Sequence, residues 1–344
     1  MVASPLYVHG VGHFHPEEVI DNAFLESLDI GTNEEWILER VGVRARRTVL
    51  PLDYIRQTRN RDPRAAEEAQ RYDNVETGRR AALLALERAG LDPGAVGLVI
   101  AGGCCPGMCI PADACRIAAA LGIEAPALDV NSACSSFGAH LHLLAQLGGP
   151  LGDPARPYVL VVSPENTTRV VDYTDRATAV LWGDGTSAAV LSTKVPARVR
   201  VTHTTLASSP AGAGAVTIPR HGHFAQDGSA VQRFAIKTTL ACLEPLLPGA
   251  RARVAETGGT LRFIGHQANL LMLESVTRRA GIADAEQHWH NIVLHGNTGA
   301  AGAPSVLSQR WDELGAGDVV LMVVVGSGLT WSSLALEVAA GAGS

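Results

Sequence analysis

Three residues of this chain have side chains suited to covalent catalysis, and each lies next to an apolar run or turn. Cys134 follows the apolar run 127–130 and precedes a pattern with helical spacing over 137–147. A cysteine at the start of a helix meets unpaired N–H groups and a partial positive charge, which favour the nucleophilic thiolate. Cys134 is therefore a candidate covalent nucleophile. The alternative for a single cysteine is a small, buried apolar role.

The other two candidates lie in the second half of the chain. His266 follows the apolar run 261–265, and Asn297 lies in a small-residue turn. Catalytic residues of α/β sheets gather at the carboxyl ends of strands. The Gly-Ser-Gly turn ending at Gly328 could bring a backbone N–H to an oxyanion. A capping histidine and a turn asparagine are the structural alternatives, but together with Cys134 these residues predict one catalytic site.

The elements that must position these residues alternate between strand and helix patterns, which predicts a sheet covered by helices. In the second half, a helix is predicted over 230–247. In the first half, a strand is followed by Cys134 and a helix. In the second half, a strand is followed by His266 and a helix in the same order. We therefore predict two similar halves, 1–194 with the cysteine and 195–344 with the histidine and asparagine, although no residue-level repeat is visible.

Composition excludes several classes of protein. The chain has 344 residues, 47% of them hydrophobic, and its formal net charge is −6, so no basic footprint indicates nucleic-acid binding. No apolar run reaches the length of a membrane span, and no signal peptide is visible. Six cysteines do not form a disulfide framework in a chain of this length, so we expect a reduced, cytoplasmic protein.

Two further clusters have less specific patterns. Cys104, Cys105 and Cys109 lack the paired spacing of structural zinc ligands, so we expect a loop of small buried residues and no metal. A metal-binding protein remains an alternative. Four arginines form a small basic cluster that could bind phosphates or could simply be solvated: Arg40, Arg44, Arg46 and Arg47.

Five motifs connect these residues to a known family. They are Asp129-Val-Asn-Ser-Ala-Cys134, Thr178-Ala-Val-Leu-Trp-Gly-Asp-Gly185, His266-Gln-Ala-Asn269, Gly296-Asn297-Thr298 and Gly326-Ser-Gly-Leu-Thr-Trp331. In order and rough spacing they resemble the β-ketoacyl-acyl carrier protein synthase III family of the thiolase superfamily, over nearly the whole length. The resemblance implies a five-layer αβαβα thiolase-like fold of two duplicated halves, a homodimer, and a Cys134-His266-Asn297 triad.

The resemblance also implies a mechanism. Cys134 takes an acyl group from an acyl thioester, usually acyl-CoA, while the N–H groups of Cys134 and Gly328 bind the oxyanion. A malonyl-type thioester then loses CO2, and His266 and Asn297 stabilise the enolate. Attack on the acyl-cysteine gives a β-ketoacyl thioester. No permanently bound cofactor is implied; CoA thioesters or acyl carrier protein are the partners.

The same resemblance assigns substrate contacts. For CoA it implies that adenine stacks between Trp36 and Arg176, that Arg40 lies near the phosphates, and that Asn269 lies beside the pantetheine channel. Ile110 matches the residue that reaches the acyl pocket of the partner subunit.

Arg278 and Arg279 match basic residues that contact the carrier protein, whereas Leu271 stands where many members have a basic residue. This departure and the long polar segment 50–74 favour a specialised synthase of fatty-acid or polyketide metabolism.

Two other activities fit the same residues. In the first, Cys134 passes its acyl group to an oxygen or nitrogen nucleophile, or to a β-keto partner, without malonyl decarboxylation. Relatives of that kind often alter the asparagine, so Asn297 favours condensation. In the second, the chain is a non-catalytic partner subunit. Such subunits tend to lose the cysteine or histidine, and this chain has both Cys134 and His266.

Overall fold

A computed structural model describes residues 4–147, 153–282 and 287–340. The strands in these ranges are β1 (Leu6–Phe14), β2 (Glu18–Asp21), β3 (Ala45–Thr48), β4 (Val96–Ala101), β5 (Ala127–Asp129), β6 (Tyr158–Glu165), β7 (Gly185–Ser192), β8 (Val199–Ser208), β9 (Val216–Thr217), β10 (Ala225–Gln226), β11 (Leu261–Gly265), β12 (Val319–Gly326) and β13 (Thr330–Val338). The helices are α1 (Asn22–Ser27), α2 (Glu34–Arg40), α3 (Leu52–Thr58), α4 (Pro63–Ala69), α5 (Asn74–Ala89), α6 (Asp113–Leu121), α7 (Ser136–Leu147), α8 (Arg176–Ala179), α9 (Gly228–Thr257), α10 (Leu270–Ala280), α11 (Ile292–His295) and α12 (Gly302–Gln309).

Nine of the described strands form one mixed sheet in the order β11-β12-β13-β8-β1-β7-β6-β4-β5. In the first half β4 runs parallel to β5 and β6, whereas β6, β7 and β1 pair antiparallel. The second half has a similar order, with β11 parallel to β12 and with β12, β13 and β8 antiparallel. The two groups join where β1 pairs with β8 over Leu6–Val8. The predicted α/β class is therefore observed, with both kinds of strand pairing in each group.

Helices cover both groups of strands and also separate them. Helices α5 and α6 pack on one face of the first group, and α9 and α10 pack on the second group. Between the groups, α7 contacts β6 and β1 on one side and β8 and β13 on the other. Helix α12 contacts β1, β7 and β11. The order helix, strand group, helix, strand group, helix agrees with the five layers that the resemblance implied.

Helix α5 is specified both by its capping residues and by its close packing on β1. Asp73 caps its start by accepting hydrogen bonds from two backbone N–H groups, and Gly90 ends it in the left-handed conformation. The helix lies so close to β1 that a methyl group on Gly12 would stand 2.0 Å from the carbonyl oxygen of Ala81. Small residues on both elements permit this approach, which buries β1 at the centre of the sheet.

Helix α9 extends beyond its predicted end at residue 247. It spans Gly228–Thr257 and contains Pro245 and Pro248. Leu243 and Leu247 are buried against the second group of strands, and this packing continues the helix past two prolines that would end it in isolation. Although α9 has 30 residues, neither it nor another helix within the described ranges is long and apolar enough to cross a membrane.

Candidate active site

Cys134 lies in a tight turn between β5 and α7. Ala133, the residue before it, has a φ of +46°, a left-handed conformation that is uncommon for a residue with a side chain. The Ser136 hydroxyl accepts a hydrogen bond from the Ser132 N–H at 2.9 Å and donates to the carbonyl of Ala133 at 2.6 Å. These bonds fix the turn, so Cys134 is held two residues before the start of α7, with its side chain buried.

The end of β12 closes over this turn. A methyl group on Gly326 would lie 3.0 Å from the backbone N of Cys134 and 3.1 Å from that of Ser135. Only a residue without a side chain allows the two segments to come so close. Gly326 and Ser327 line the cavity in front of Cys134, whereas Gly328, which was predicted to supply an oxyanion N–H, is not among the described residues that line it.

His266 follows β11 and is nine-tenths buried. Its neighbour Gln267 is fully buried and fixes the turn, because its amide donates to the carbonyl of Gly265 at 2.7 Å and accepts from the N–H of Asn291 at 3.0 Å. The site histidine is therefore carried on a rigid strand end. Rigid support of this kind keeps the imidazole oriented toward the cysteine.

Asn297 is oriented by its own backbone surroundings. Its side-chain oxygen accepts a hydrogen bond from the N–H of Gly299 at 3.0 Å, and its N–H donates to the carbonyl of Leu181 at 2.8 Å. With the oxygen engaged, the amide NH2 is the end of the side chain available to a ligand. Asn297 can therefore act as a hydrogen-bond donor in the cavity.

Cys134, His266 and Asn297 meet in one cavity of about 240 Å³. Apolar side chains such as Trp182 and Phe224 form much of its wall. Beside apolar walls, hydrogen bonds to a developing negative charge are worth more than in water. The structure thus brings the three predicted catalytic residues together, and Asn269 lines the same cavity.

The thiol of Cys134 is strongly perturbed by its neighbours. The Cys104 Sγ lies 3.5 Å from the Cys134 Sγ. Hydrogen bonding from Cys104, and then from His266, holds the pKa of Cys134 well below its usual value, although burial acts in the opposite direction. The same contact raises the pKa of Cys104. We assign the charge to Cys134 because His266 and the backbone N–H of Cys134 itself stabilise it there, whereas Glu165 and Cys105 would not stabilise a thiolate on Cys104.

Glu165 and Cys104 belong to this site, but sequence reasoning missed both. Glu165 is fully buried at the end of β6, and its Oε1 accepts from the N–H groups of Cys104 at 2.9 Å and Ala300 at 2.7 Å. Burial, with a further contribution from Cys134, raises the pKa of Glu165 to about 8. Cys104, Cys134 and Glu165 all lie at or after the carboxyl ends of β4, β5 and β6, which are neighbouring parallel strands. The strand ends were a signal in the sequence, but the pairing of the strands was not.

The predicted CoA residues cluster at the protein surface near the cavity. The guanidinium carbons of Arg40 and Arg176 lie 5.1 and 4.9 Å from the centre of the Trp36 ring. Asn269 connects this cluster to the cavity, because its side chain caps α10 and donates to the Arg40 carbonyl at 2.9 Å. A planar base stacked between Trp36 and Arg176 would require the Arg176 side chain to move off the ring.

The remaining predicted residues lie away from this cavity. Ile110 is 82% exposed and lines a second cavity, of about 760 Å³, that reaches Cys104 from another direction. Arg278 and Arg279 are exposed in the last turn of α10. Within the described ranges, no group of three or more histidine, cysteine or acidic residues could hold a metal ion.

Comparison with known proteins gives this geometry a context. The family model for 3-oxoacyl-[acyl-carrier-protein] synthase III matches residues 128–210, and the model for its C-terminal part matches residues 258–338. The chain is 31% identical to the β-ketoacyl-[acyl-carrier-protein] synthase III of Oceanobacillus iheyensis, over 95% of this chain and 97% of the relative. It is 32% identical to that of Syntrophomonas wolfei, over 95% and 96% of the two chains.

Solved structures show the same similarity. The 3-oxoacyl-(acyl carrier protein) synthase III of Pseudomonas aeruginosa superposes with a TM-score of 0.79 at 27% identity, covering 97% of this chain and 98% of the other. A priming β-ketosynthase from a polyketide biosynthetic pathway superposes with a TM-score of 0.77 at 26% identity, covering 97% and 96%.

These similarities define an acyl-transferring condensing enzyme with the thiolase fold, and they confirm the fold class and enzyme class predicted from the sequence. Within that class, the chain belongs to the β-ketoacyl-[acyl-carrier-protein] synthase III family.

Proposed function

We propose that the protein condenses a Cys134-bound acyl group with a malonyl-type thioester by decarboxylative Claisen chemistry. The observation that carries this proposal is the convergence of the buried side chains of Cys134, His266 and Asn297 on one cavity. A thiolate nucleophile, an imidazole and an amide donor are the groups that the two half-reactions need.

In the first half-reaction, the Cys134 thiolate attacks the carbonyl of an acyl thioester. The donor thiolate leaves, and Cys134 retains the acyl group. The oxyanion of the tetrahedral intermediate needs two N–H donors, of which Cys134 is one. Gly328 was predicted to be the other. Because Ser327 lines the cavity, its N–H is the better-supported second donor.

In the second half-reaction, a malonyl-type thioester binds in the same cavity and loses CO2, and the electron pair of the broken bond forms an enolate. His266 and the NH2 of Asn297 donate to the enolate oxygen, a role supported by the engagement of the Asn297 side-chain oxygen with Gly299. The enolate carbon attacks the acyl-cysteine, and Cys134 leaves as a thiolate. The product is a β-ketoacyl thioester, and no permanently bound cofactor takes part.

Acyl-CoA is the proposed donor, with Trp36, Arg40, Arg176 and Asn269 as its contacts. The two guanidinium groups beside the Trp36 ring support this assignment, since phosphates and an adenine ring need cations and an aromatic face. For substrates carried on acyl carrier protein, we propose docking on the exposed Arg278 and Arg279. The kinship with a polyketide priming enzyme supports a place in fatty-acid or polyketide biosynthesis.

We further propose that the protein is a homodimer in which Ile110 reaches the acyl pocket of the partner subunit. Strand β5 is an edge strand of the described sheet, and Leu128 on it is 45% exposed. An edge strand with an exposed apolar side chain can pair with a strand of a second chain, which supports the dimer. The two halves, 1–194 and 195–344, would divide between β7 and β8. We place the reaction in the reducing cytoplasm, where a free Cys134 thiol persists.

The experiment that tests the activity is intact-protein mass spectrometry after incubation with a panel of acyl-CoAs, followed by a malonyl-thioester chase. Cys134→Ala is the inactive variant. Cys109→Ala is the matched control, because Cys109 is an exposed thiol that could be acylated without catalysis.

We expect a mass gain in the wild type and in Cys109→Ala but not in Cys134→Ala, with discharge by the chase and release of CO2. Acylation that survives the chase but discharges to an alcohol or amine would replace condensation by simple acyl transfer. A mass gain that is equal in Cys134→Ala would refute Cys134 as the nucleophile.

A further inference from the structure

A second thiol lies within hydrogen-bond distance of the nucleophile. We propose that Cys104 is a positioning residue that donates its S–H to the Cys134 thiolate and so prepares the nucleophile for both half-reactions. The inference rests on the proposed role of Cys134 and extends it to a residue that the triad does not include.

The position of Cys104 supports a defined interaction rather than chance proximity. Its Sγ lies 3.5 Å from the Sγ of Cys134, within the range for a sulfur donor and a sulfur acceptor. Its backbone is fixed by the 2.9 Å bond from its N–H to Glu165, which also accepts from Ala300. Cys104 is thereby tied both to β6 and to the segment that follows Asn297.

The charged and titratable groups around the pair favour this direction of donation. Cys134 faces His266, and its own backbone N–H also stabilises a negative charge on it. The buried carboxyl of Glu165 acts on both sulfurs, and neither it nor the buried thiol of Cys105 would stabilise a thiolate on Cys104. The proton therefore belongs on Cys104, and the negative charge on Cys134.

The consequence is specific to the charge state of Cys134. A hydrogen bond to a charged acceptor is stronger than one to a neutral acceptor, and a thioester sulfur is a poor acceptor. Cys104 therefore stabilises Cys134 as attacking thiolate and again as leaving thiolate, but contributes little while the acyl group is attached. A packing residue of the same size would not show this dependence.

The test measures the thiolate directly, without acyl transfer. Full-length wild type, Cys104→Ala and Cys104→Ser are alkylated with iodoacetamide from pH 4.5 to 9.5, and the peptide that contains Cys134 is quantified by mass spectrometry. Peptide mapping is needed because Cys109 and Cys115 are exposed and also react. Cys105→Ala is the matched control, since Cys105 is a buried thiol in the same loop with no hydrogen bond from its side chain to Cys134 among the described contacts.

We expect Cys104→Ala to raise the pH midpoint of Cys134 alkylation by about one unit, a tenfold loss of thiolate at low pH. Because a more basic thiolate is intrinsically more reactive, the alkylation rate at low pH should fall only about threefold, so the midpoint is the decisive quantity. Cys104→Ser retains a donor and should titrate within about 0.3 unit of the wild type. Cys105→Ala should leave the midpoint unchanged.

A midpoint that is the same in Cys104→Ala as in the wild type would overturn the proposal, as would a shift in Cys104→Ser equal to that in Cys104→Ala. If Cys104→Ala does not fold by circular dichroism, Cys104→Val, which is similar in size and lacks a donor, replaces it with the same expectation. Acylation of the wild type by acyl-CoA is measured in parallel. If acylation fails while the midpoints shift as expected, acyl-CoA is not the donor and the role of Cys104 stands.

Discussion

Replacing Gly326 by alanine tests the geometry of the oxyanion site. The new methyl group would lie 3.0 Å from the backbone N of Cys134, which is the distance at which an oxyanion would accept its hydrogen bond. It would also lie 3.1 Å from the N of Ser135, which is bonded to the carbonyl of Ser132 and cannot easily move. The methyl group would therefore occupy the position of the oxyanion or displace the turn beneath it.

The size of the effect follows from these contacts. Loss of one oxyanion donor lowers the rate of acyl transfer by about 10²- to 10³-fold. Insertion of a methyl group into close-packed backbone lowers the free energy of unfolding by about 1–3 kcal/mol. We therefore expect Gly326→Ala to fold but to be acylated by acyl-CoA at least about 100-fold more slowly than the wild type. Gly94→Ala is the control, because nothing lies within 4 Å of the position its methyl group would take.

Two rates distinguish the oxyanion site from a displaced nucleophile. Acylation is followed by intact-protein mass, and alkylation of Cys134 by iodoacetamide is followed by peptide mass. Alkylation forms no oxyanion, so it should change by less than about threefold. A folded variant that is acylated within about threefold of the wild type would refute the reasoning. An equal loss of both rates would show that Cys134 had moved and that no oxyanion effect is needed.

Three further predictions use other residues of the site. Asn297→Asp keeps an oxygen for the Gly299 N–H but loses the amide donor. CO2 release from a malonyl thioester should therefore fall about 100-fold while acylation of Cys134 continues, and parallel loss of both would contradict the assigned role. Trp36→Ala should raise the KM for acyl-CoA about tenfold but leave acylation by a short acyl thioester without a nucleotide unchanged; an equal effect on both donors would exclude stacking on Trp36. Burial is the main cause that raises the pKa of Glu165 from 4.5 to about 8. Between these two pH values the folded state binds more protons than the unfolded state. The free energy of unfolding of the wild type therefore falls as the pH rises from about 4.5 to 8. Glu165→Gln cannot ionise, so its free energy of unfolding should not show this fall. Between pH 5 and pH 8, urea unfolding should show the variant gaining a few kcal/mol of stability relative to the wild type, at ~1.4 kcal/mol per pKa unit. If the stability difference between the two proteins is the same at both pH values, Glu165 does not titrate in this window.

Elements whose own residues specify them were predicted well. The strand predicted over 261–265 is β11, and the helix that follows it begins with Asn269 as its cap and ends at Gly281 in the left-handed conformation. Apolar periodicity, a capping side chain and a terminal glycine are all local signals. Because His266 directly follows such a strand, its place at the sheet edge could be inferred before any tertiary contact was known.

Elements that depend on distant partners were not predicted. The prediction ended α9 near its prolines, but burial of Leu243 and Leu247 against the second group of strands extends the helix to Thr257. Arg46 belonged to a cluster predicted to be solvated or to meet phosphates. It is fully buried, and its guanidinium donates to the Val180 carbonyl and to Asn22 at 2.6 Å. Neither outcome has a signal within the neighbouring sequence.

The sequence by itself determined the residue types of the site, since Cys134, His266 and Asn297 each combine a reactive or polar side chain with a strand end or turn in a motif that matches the family. Tertiary structure decided what surrounds them. Cys104 was assigned to a loop of small residues until the parallel pairing of β4 with β5 and β6 placed its sulfur 3.5 Å from Cys134 and its N–H on Glu165. The register of the sheet brings together residues that are 30 and 61 positions apart in the sequence. A local sequence pattern does not indicate which strands pair, so it could not predict these contacts.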